Sequence, residues 1–218
     1  MIGRIGLLAV ALCLFAPGIS HAQEASRAPI DVTCEIHVWP AARFNTLTEG
    51  VIWNNTLDSG FNERPRKADE RAVPKSGPLD PDNQLAMLQA LDLPALLHNP
   101  GAKVVIHDEV PKRRAVGPAT GRQSMSTSAC YMELTVAKNF FNRSGLTDRT
   151  LRSMFIFDDY GDQPMPKRSF VGWGVTTLQL FPAKDPANAQ AADDELANAF
   201  RANTRQFATY AFAPPRKK

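Results

Sequence analysis

The chain has 218 residues, 44% of them hydrophobic and 22% charged, with a formal net charge of +3. This is ordinary globular composition, enough for one domain with a core. It excludes a coiled coil, a collagen-like chain, wholesale disorder and a multi-pass membrane protein.

Residues 1–22 have the form of a signal peptide. Arg4 supplies a positive start, Ile5 to Phe15 is an apolar run too short to span a bilayer, and Ser20-His21-Ala22 places small residues at −3 and −1 of a cut before Gln23. Cys13 follows Leu12, where a lipobox needs a small residue, so lipid attachment is not expected. Removing the leader takes away only Arg4, leaving 24 basic against 22 acidic residues (25 − 1 against 22). A balance of +2 gives no bulk electrostatic argument for nucleic acid. No second apolar segment of spanning length follows. The expectation is a periplasmic or secreted protein whose domain covers 23–212, followed by a basic tail at 213–218.

Two cysteines remain, Cys34 and Cys130. In an exported chain a pair with no third favours one disulfide. Val32, Cys34, Ile36 and Val38 alternate with polar residues, so 32–39 reads as a half-buried strand ended by Pro40. Cys130, Met132, Leu134 and Val136 do the same in 129–138. Both cysteines then lie on apolar faces, and they meet if the two strands are neighbours.

Between these strands, Thr46-x-x-Glu49 has the spacing of a capping box and predicts a short helix through Leu57. Residues 62–80 mix charge with Pro65, Pro74 and Pro78 and predict an irregular stretch; 109–127 predict another. Asp80-Pro81 is a helix start, continued by Leu85, Leu88 and Leu91. A further turn runs from Pro94 to His98. Lys103 to His107 predicts a strand covered on both faces, because Val104, Val105 and Ile106 are consecutive. Leu151 to Tyr160 predicts a strand apolar on both sides, closed by an acidic turn at Asp158-Asp159-Tyr160-Gly161-Asp162. Phe170 to Phe181 predicts the last strand. Residues 188–211 form the clearest helix, with Leu196, Ala199, Phe200, Phe207 and Tyr210 on one face. The order predicts a single α/β or α+β sandwich, with a mixed, mostly antiparallel sheet of about five strands and a C-terminal amphipathic helix.

Chemistry-bearing residues are sparse. Cys34-x-x-His37 has half of a metal-site spacing, but on a strand the two residues point to opposite faces, which leaves His37 exposed to solvent and no metal expected. Asp158, Asp159 and Asp162 lack the spacing of an EF-hand loop. His107, beside Asp108 and Glu109 and followed by Ser124, Ser126 and Ser128, is the one candidate for hydrolytic chemistry, although no Gly-x-Ser-x-Gly elbow accompanies it. Lys112, Arg113 and Arg114, with Arg122 nearby, form a basic loop, either simply solvated or able to touch anionic lipid headgroups, a glycan phosphate or an acidic partner. Phe140-Phe141 and the glycine-broken strand Phe170-Val171-Gly172-Trp173-Gly174 suggest an aromatic edge that receives a partner strand. No cofactor is implied.

In layout, Tyr131 to Gly145, Met154 to Gly161 and Asp194 to Ala211 resemble exported α/β proteins of the curli-secretion lipoprotein type and related envelope-assembly lipoproteins. In these a hairpin with an aspartate-rich turn ending in glycine precedes a terminal amphipathic helix. The resemblance covers about a third of the chain after the leader and transfers no functional residue. Together these observations predict a non-catalytic accessory or binding protein of the cell envelope, meeting an envelope protein through the aromatic edge or the basic loop. The alternative is a small periplasmic hydrolase using His107 with nearby carboxylates or serines.

Overall fold

The computed structural model describes residues 33–42, 44–49, 77–111, 121–144 and 148–214. The leader, residues 62–76 and 112–120 of the two irregular stretches, with Lys112, Arg113 and Arg114 among them, and most of the basic tail lie outside the described residues. In chain order the elements are strands β1 (Glu35–Trp39) and β2 (Phe44–Glu49), helices α1 (Pro81–Gln89) and α2 (Leu93–Leu96), strands β3 (Lys103–Ile106), β4 (Tyr131–Ser144), β5 (Asp148–Gly161) and β6 (Arg168–Thr177), and helix α3 (Ala189–Ala211).

The strands form one mixed sheet in the order β3-β1-β4-β5-β6. β2 continues beyond the end of β1 along the same side of β4, so six segments fill five ranks. The pairing is parallel for β3–β1, β1–β4 and β2–β4, and antiparallel across the long β4–β5–β6 meander. Glu35 faces Tyr131 in the β1–β4 register. One residue earlier, Cys34 and Cys130 stand opposite each other and form the disulfide, with their Cα atoms 4.5 Å apart. The strand parity of the two cysteines therefore meets the neighbouring-strand condition.

The capping box expected at Thr46 to Glu49 does not start a helix there, and the rest of that expected helix, 50–57, lies outside the described residues. Residues 44–49 are strand, because β4 runs on to Ser144 and offers β2 a full edge of backbone partners; pairing with that edge outweighs a local helix signal. The break at 40–43 between β1 and β2 frees backbone groups that must be satisfied elsewhere. Gln84 of α1, fully buried, accepts from the Ala41 amide at 2.9 Å and donates to the Ala41 carbonyl at 3.1 Å and the Leu79 carbonyl at 2.8 Å.

Asp80 caps α1 by accepting from the Asn83 amide at 2.8 Å, with Pro81 at the first helical position. β3 is an edge strand, so Val104 to Ile106 are half-buried rather than covered on both faces. The apolar core lies between the helices and one face of the sheet. It joins Ile36, Leu134, Phe155 and Phe157 to Leu88, Leu93, Leu196, Phe200 and Phe207. At Gly174 the Asn203 backbone of α3 comes so near that any side chain there would collide with it. Asn203 donates to the Leu151 carbonyl and the Ser153 hydroxyl and accepts from Thr176, which satisfies the polar groups at the crossing. Glu195 fixes the approach to α3 by accepting the amides of Gln179, Leu180 and Phe181 at 2.6–2.9 Å. Burial pushes its carboxyl upward, but these three amides prevail and hold it below the ordinary carboxylate value.

Candidate functional site

Among the described residues α1, α2 and α3 pack on one face of the sheet and no helix covers the other. A bulge decides which side chains reach it. The β4–β5 register shifts between Val136 and Lys138, leaving Ala137 unpaired. Tyr131, Glu133 and Thr135 point away from the helices before the bulge, and Lys138, Phe140 and Asn142 do so after it.

Near the disulfide, this helix-free face is covered by residues 121–128. The polar sides of β1 and β4, which alternate like solvent-facing positions, are buried there: His37 is 4% exposed, and Glu133 and Tyr131 are 0% exposed. The expectation of an exposed His37 fails because a loop distant in sequence closes over the strand. Buried polar groups need partners, and two chains of contacts supply them.

In the first chain, the Ser126 hydroxyl donates to Glu35 Oε2 at 2.5 Å, and the same oxygen lies 3.1 Å from His37 Nε2. His37 Nδ1 lies 2.8 Å from Nε2 of His107. With His37 donating Nε2–H to the carboxylate, its Nδ1 accepts from His107. The His107 ring stacks on Trp39 at 4.2 Å. The hydrogen bonds from Ser126 and His37 hold the Glu35 carboxyl below its ordinary value. Burial, then the neighbouring His37, lowers the proton affinity of His107 against the weaker upward pull of Glu109 and Asp108. This brings together His107, a serine and a carboxylate. The order is not that of a nucleophile and its base, since Ser126 is bound to a weakly basic carboxylate rather than to a histidine.

In the second chain, Glu133 accepts from the Gln123 amide at 2.6 Å, the Gln123 side chain at 2.8 Å and the Tyr131 hydroxyl at 2.8 Å. Burial above all, together with Glu133, keeps the Tyr131 hydroxyl protonated. The Tyr160 hydroxyl donates to the Gly121 carbonyl at 2.7 Å.

Arg122 is not a free basic group. Its guanidinium donates to the carbonyls of Ser126, Ser128, Gly161 and Gln163 and lies over the Tyr131 ring at 4.7 Å. It pins the loop, and beside it lies an open cavity lined by Thr127, Ser128, Asp162 and Met165, in which Arg122, the only cationic side chain among the described lining residues, is already occupied. Ser124, Ser126 and Ser128 cap successive loop amides at 3.1–3.2 Å. Asp158 and Asp159 belong to β5 rather than to a turn. Asp159 accepts from the Gly161 amide and pairs with Lys167 at 3.3 Å. Among the described residues no three His, Cys, Asp or Glu side chains are grouped to hold a metal ion, and Cys34 is committed to its disulfide.

At the other end of the same face, the four expected aromatics separate. Phe141 and Phe170 turn inward, Phe141 against Phe181 at 5.3 Å and Phe170 against Phe207 at 5.5 Å. Phe140 and Trp173 turn outward and approach each other at 6.0 Å. Adjacent residues on a strand must part in this way. Lys138 lies over Phe140 at 5.7 Å, and the Arg152 guanidinium lies over Trp173 at 5.2 Å. The register places Lys138, Met154 and Trp173 in one row and Phe140, Arg152 and Val175 in the next. Arg152 was invisible as a site residue in the sequence, where it is one of several isolated basic residues.

No protein-family model matches the chain, and no curated protein sequence matches it. Among solved structures it is similar to protein XCC0632 from Xanthomonas campestris, of family DUF330, at 13% identity and a TM-score of 0.42 over 82% of this chain and 80% of that one. It is also similar to the hypothetical protein CT253 from Chlamydia trachomatis, at 8% identity and a TM-score of 0.36 over 84% of this chain and 99% of that one. Neither likeness bears on function.

Proposed function

We propose that this is an exported protein of the cell envelope that carries out no chemistry and works by binding another envelope protein along the β6 side of its sheet. One observation carries the reading: among the described residues β6 ends the sheet, and its face away from the helices offers Val171 and Val175, 40% and 42% exposed, on either side of the half-buried Trp173. An edge strand with exposed apolar side chains is a template for a partner strand. Export is supported by the leader in the sequence and by a Cys34–Cys130 bond that suits an oxidising compartment.

The test uses the full chain expressed in bacterial cells with a photo-crosslinking residue at Val171, or at Arg205 on the exposed side of α3 as control. The expected result is cleavage before Gln23 and a crosslink from position 171, absent from position 205, to one identifiable envelope protein. Retention in the cytoplasm with both thiols free, or identical adducts from the two positions, overturns the reading.

The competing reading, a small hydrolase, draws on the Ser126–Glu35–His37–His107 chain. The lowered basicity of Glu35 weighs against it, because a carboxylate held below its ordinary value is a poor base for a serine hydroxyl. Ester hydrolysis by the purified protein that Ser126→Ala abolishes would favour it.

A further inference from the structure

Arg152 stands out among the cations of the sheet. Its Nε is buried with no hydrogen-bond partner, and among the described residues no carboxylate pairs with it. Its guanidinium lies over the Trp173 ring, which holds the plane in place and leaves the terminal nitrogens as the donors of a fixed fork. A half-buried, unpaired guanidinium costs free energy unless something pairs with it.

The edge beside it is open. The Val175 amide donates to the Gln206 side chain rather than to β5, so the residues two and four positions earlier, Trp173 and Val171, also turn their amides and carbonyls outward. No further strand pairs there among the described residues. A strand added at Ser169–Trp173 would lie roughly 10 Å from β5, two strand spacings away. A glutamate and an arginine side chain close that gap between them.

Resting on the binding reading above, we propose that this edge receives an extended acidic segment of the partner, with one of its carboxylates seated on Arg152 across the Trp173 ring. Charge selects this occupant. β6 has no acidic residue, so a second copy pairing through the same edge would bring no carboxylate to either Arg152, and an acidic segment supplies one. A bidentate carboxylate–guanidinium pair beside an aromatic ring excludes water and is stronger than its exposed counterpart.

The test uses the disulfide-bonded protein recovered from cells expressing the full chain. The probes are a blocked eight-residue peptide of alternating threonine and glutamate and its threonine–glutamine counterpart. The expected result is slowed hydrogen exchange at the Val171 and Trp173 amides with the acidic peptide, and at least tenfold weaker binding of the neutral one. Arg152→Gln should lose the preference for the acidic peptide, and Arg152→Lys should retain only part of it, with both variants keeping the parent's far-ultraviolet spectrum and melting temperature. Equal binding of both peptides, or an unchanged preference in Arg152→Gln, overturns the proposal. So does Arg152-dependent binding of phosphatidylglycerol vesicles without protection of the two amides, which would identify a membrane-surface site. If Arg152→Gln keeps the Val171 crosslink, the carboxylate anchor fails while the binding reading stands. If the parent gives no crosslink, the binding reading fails with it.

Discussion

Gly174→Ala tests how α3 is seated on the sheet. An alanine Cβ at 174 would meet the Asn203 carbonyl oxygen at 2.3 Å and the Asn203 Cα at 2.4 Å, both backbone atoms of a long helix. Ordinary contact begins near 3.4 Å, so α3 must retreat by roughly 1 Å, and a gap of that size forfeits a quarter to a half of each dispersion contact. The contacts at stake belong to Leu196, Phe200 and Phe207, all fully buried. Overpacking of this kind costs about 1–3 kcal/mol, and rigid backbone on the far side places Gly174→Ala at about 3 kcal/mol. For a domain of this size that is a fall in melting temperature of roughly 6–12 °C. Gly172→Ala is the control. Its Cβ meets the half-buried Phe170 ring at 2.8 Å, which can shift toward solvent, and the Phe207 ring at 3.2 Å, which has to give by only a few tenths of an ångström, so its loss should stay at about 1–2 kcal/mol. Thermal and urea unfolding of the oxidised protein would measure both. A loss in Gly174→Ala no larger than that in Gly172→Ala would refute the close crossing.

Phe200→Ala should cost about 3–5 kcal/mol, because the ring is fully buried against Phe155, while Arg205→Ala on the exposed side of α3 should change the urea midpoint by less than about 0.5 kcal/mol. Thiol labelling of the unfolded, unreduced protein should find neither Cys34 nor Cys130 free, and a Cys34→Ser, Cys130→Ser double variant should lose about 2–5 kcal/mol. Acid should destabilise the protein in two steps. Folded His107 binds its proton less readily than the unfolded side chain, so its contribution is present above pH 6.5 and is lost as the pH falls below that value toward the folded pKa. Glu35, also lowered, gives a second loss below pH 4.5. His107→Gln should flatten the first step in urea midpoints measured from pH 8 to pH 2 and leave the second.

Much of the architecture was legible because its signals are local. Alternation marked β1 and β4, Asp80-Pro81 marked α1, and the phenylalanine stripe of α3 announced a face that must be buried. Cys34 and Cys130 declared matching parity. What failed was the inference from polarity to exposure on β1 and β4. His37, Tyr131, Glu133 and Thr135 alternate with apolar residues as a solvent face would, yet residues 121–128 return over them. Arg122 reads as a loose basic residue and is the staple of that loop. Nothing within β1 or β4 encodes the cover, since it arrives from a segment that is not a strand.

The aromatic residues mark the boundary most sharply. The sequence by itself determined that Trp173 and Phe170 point to opposite faces, because side-chain direction alternates along any strand; that Phe140 and Phe141 part in the same way follows only from β4 running past Lys138 to Ser144. Which of each pair is core, and which faces out beside Arg152, was decided by the helices choosing one face, by the extra residue at Ala137 and by the register of β4, β5 and β6. Those are tertiary facts: a one-residue shift exchanges the two faces of a strand, and only the partners it pairs with fix the shift.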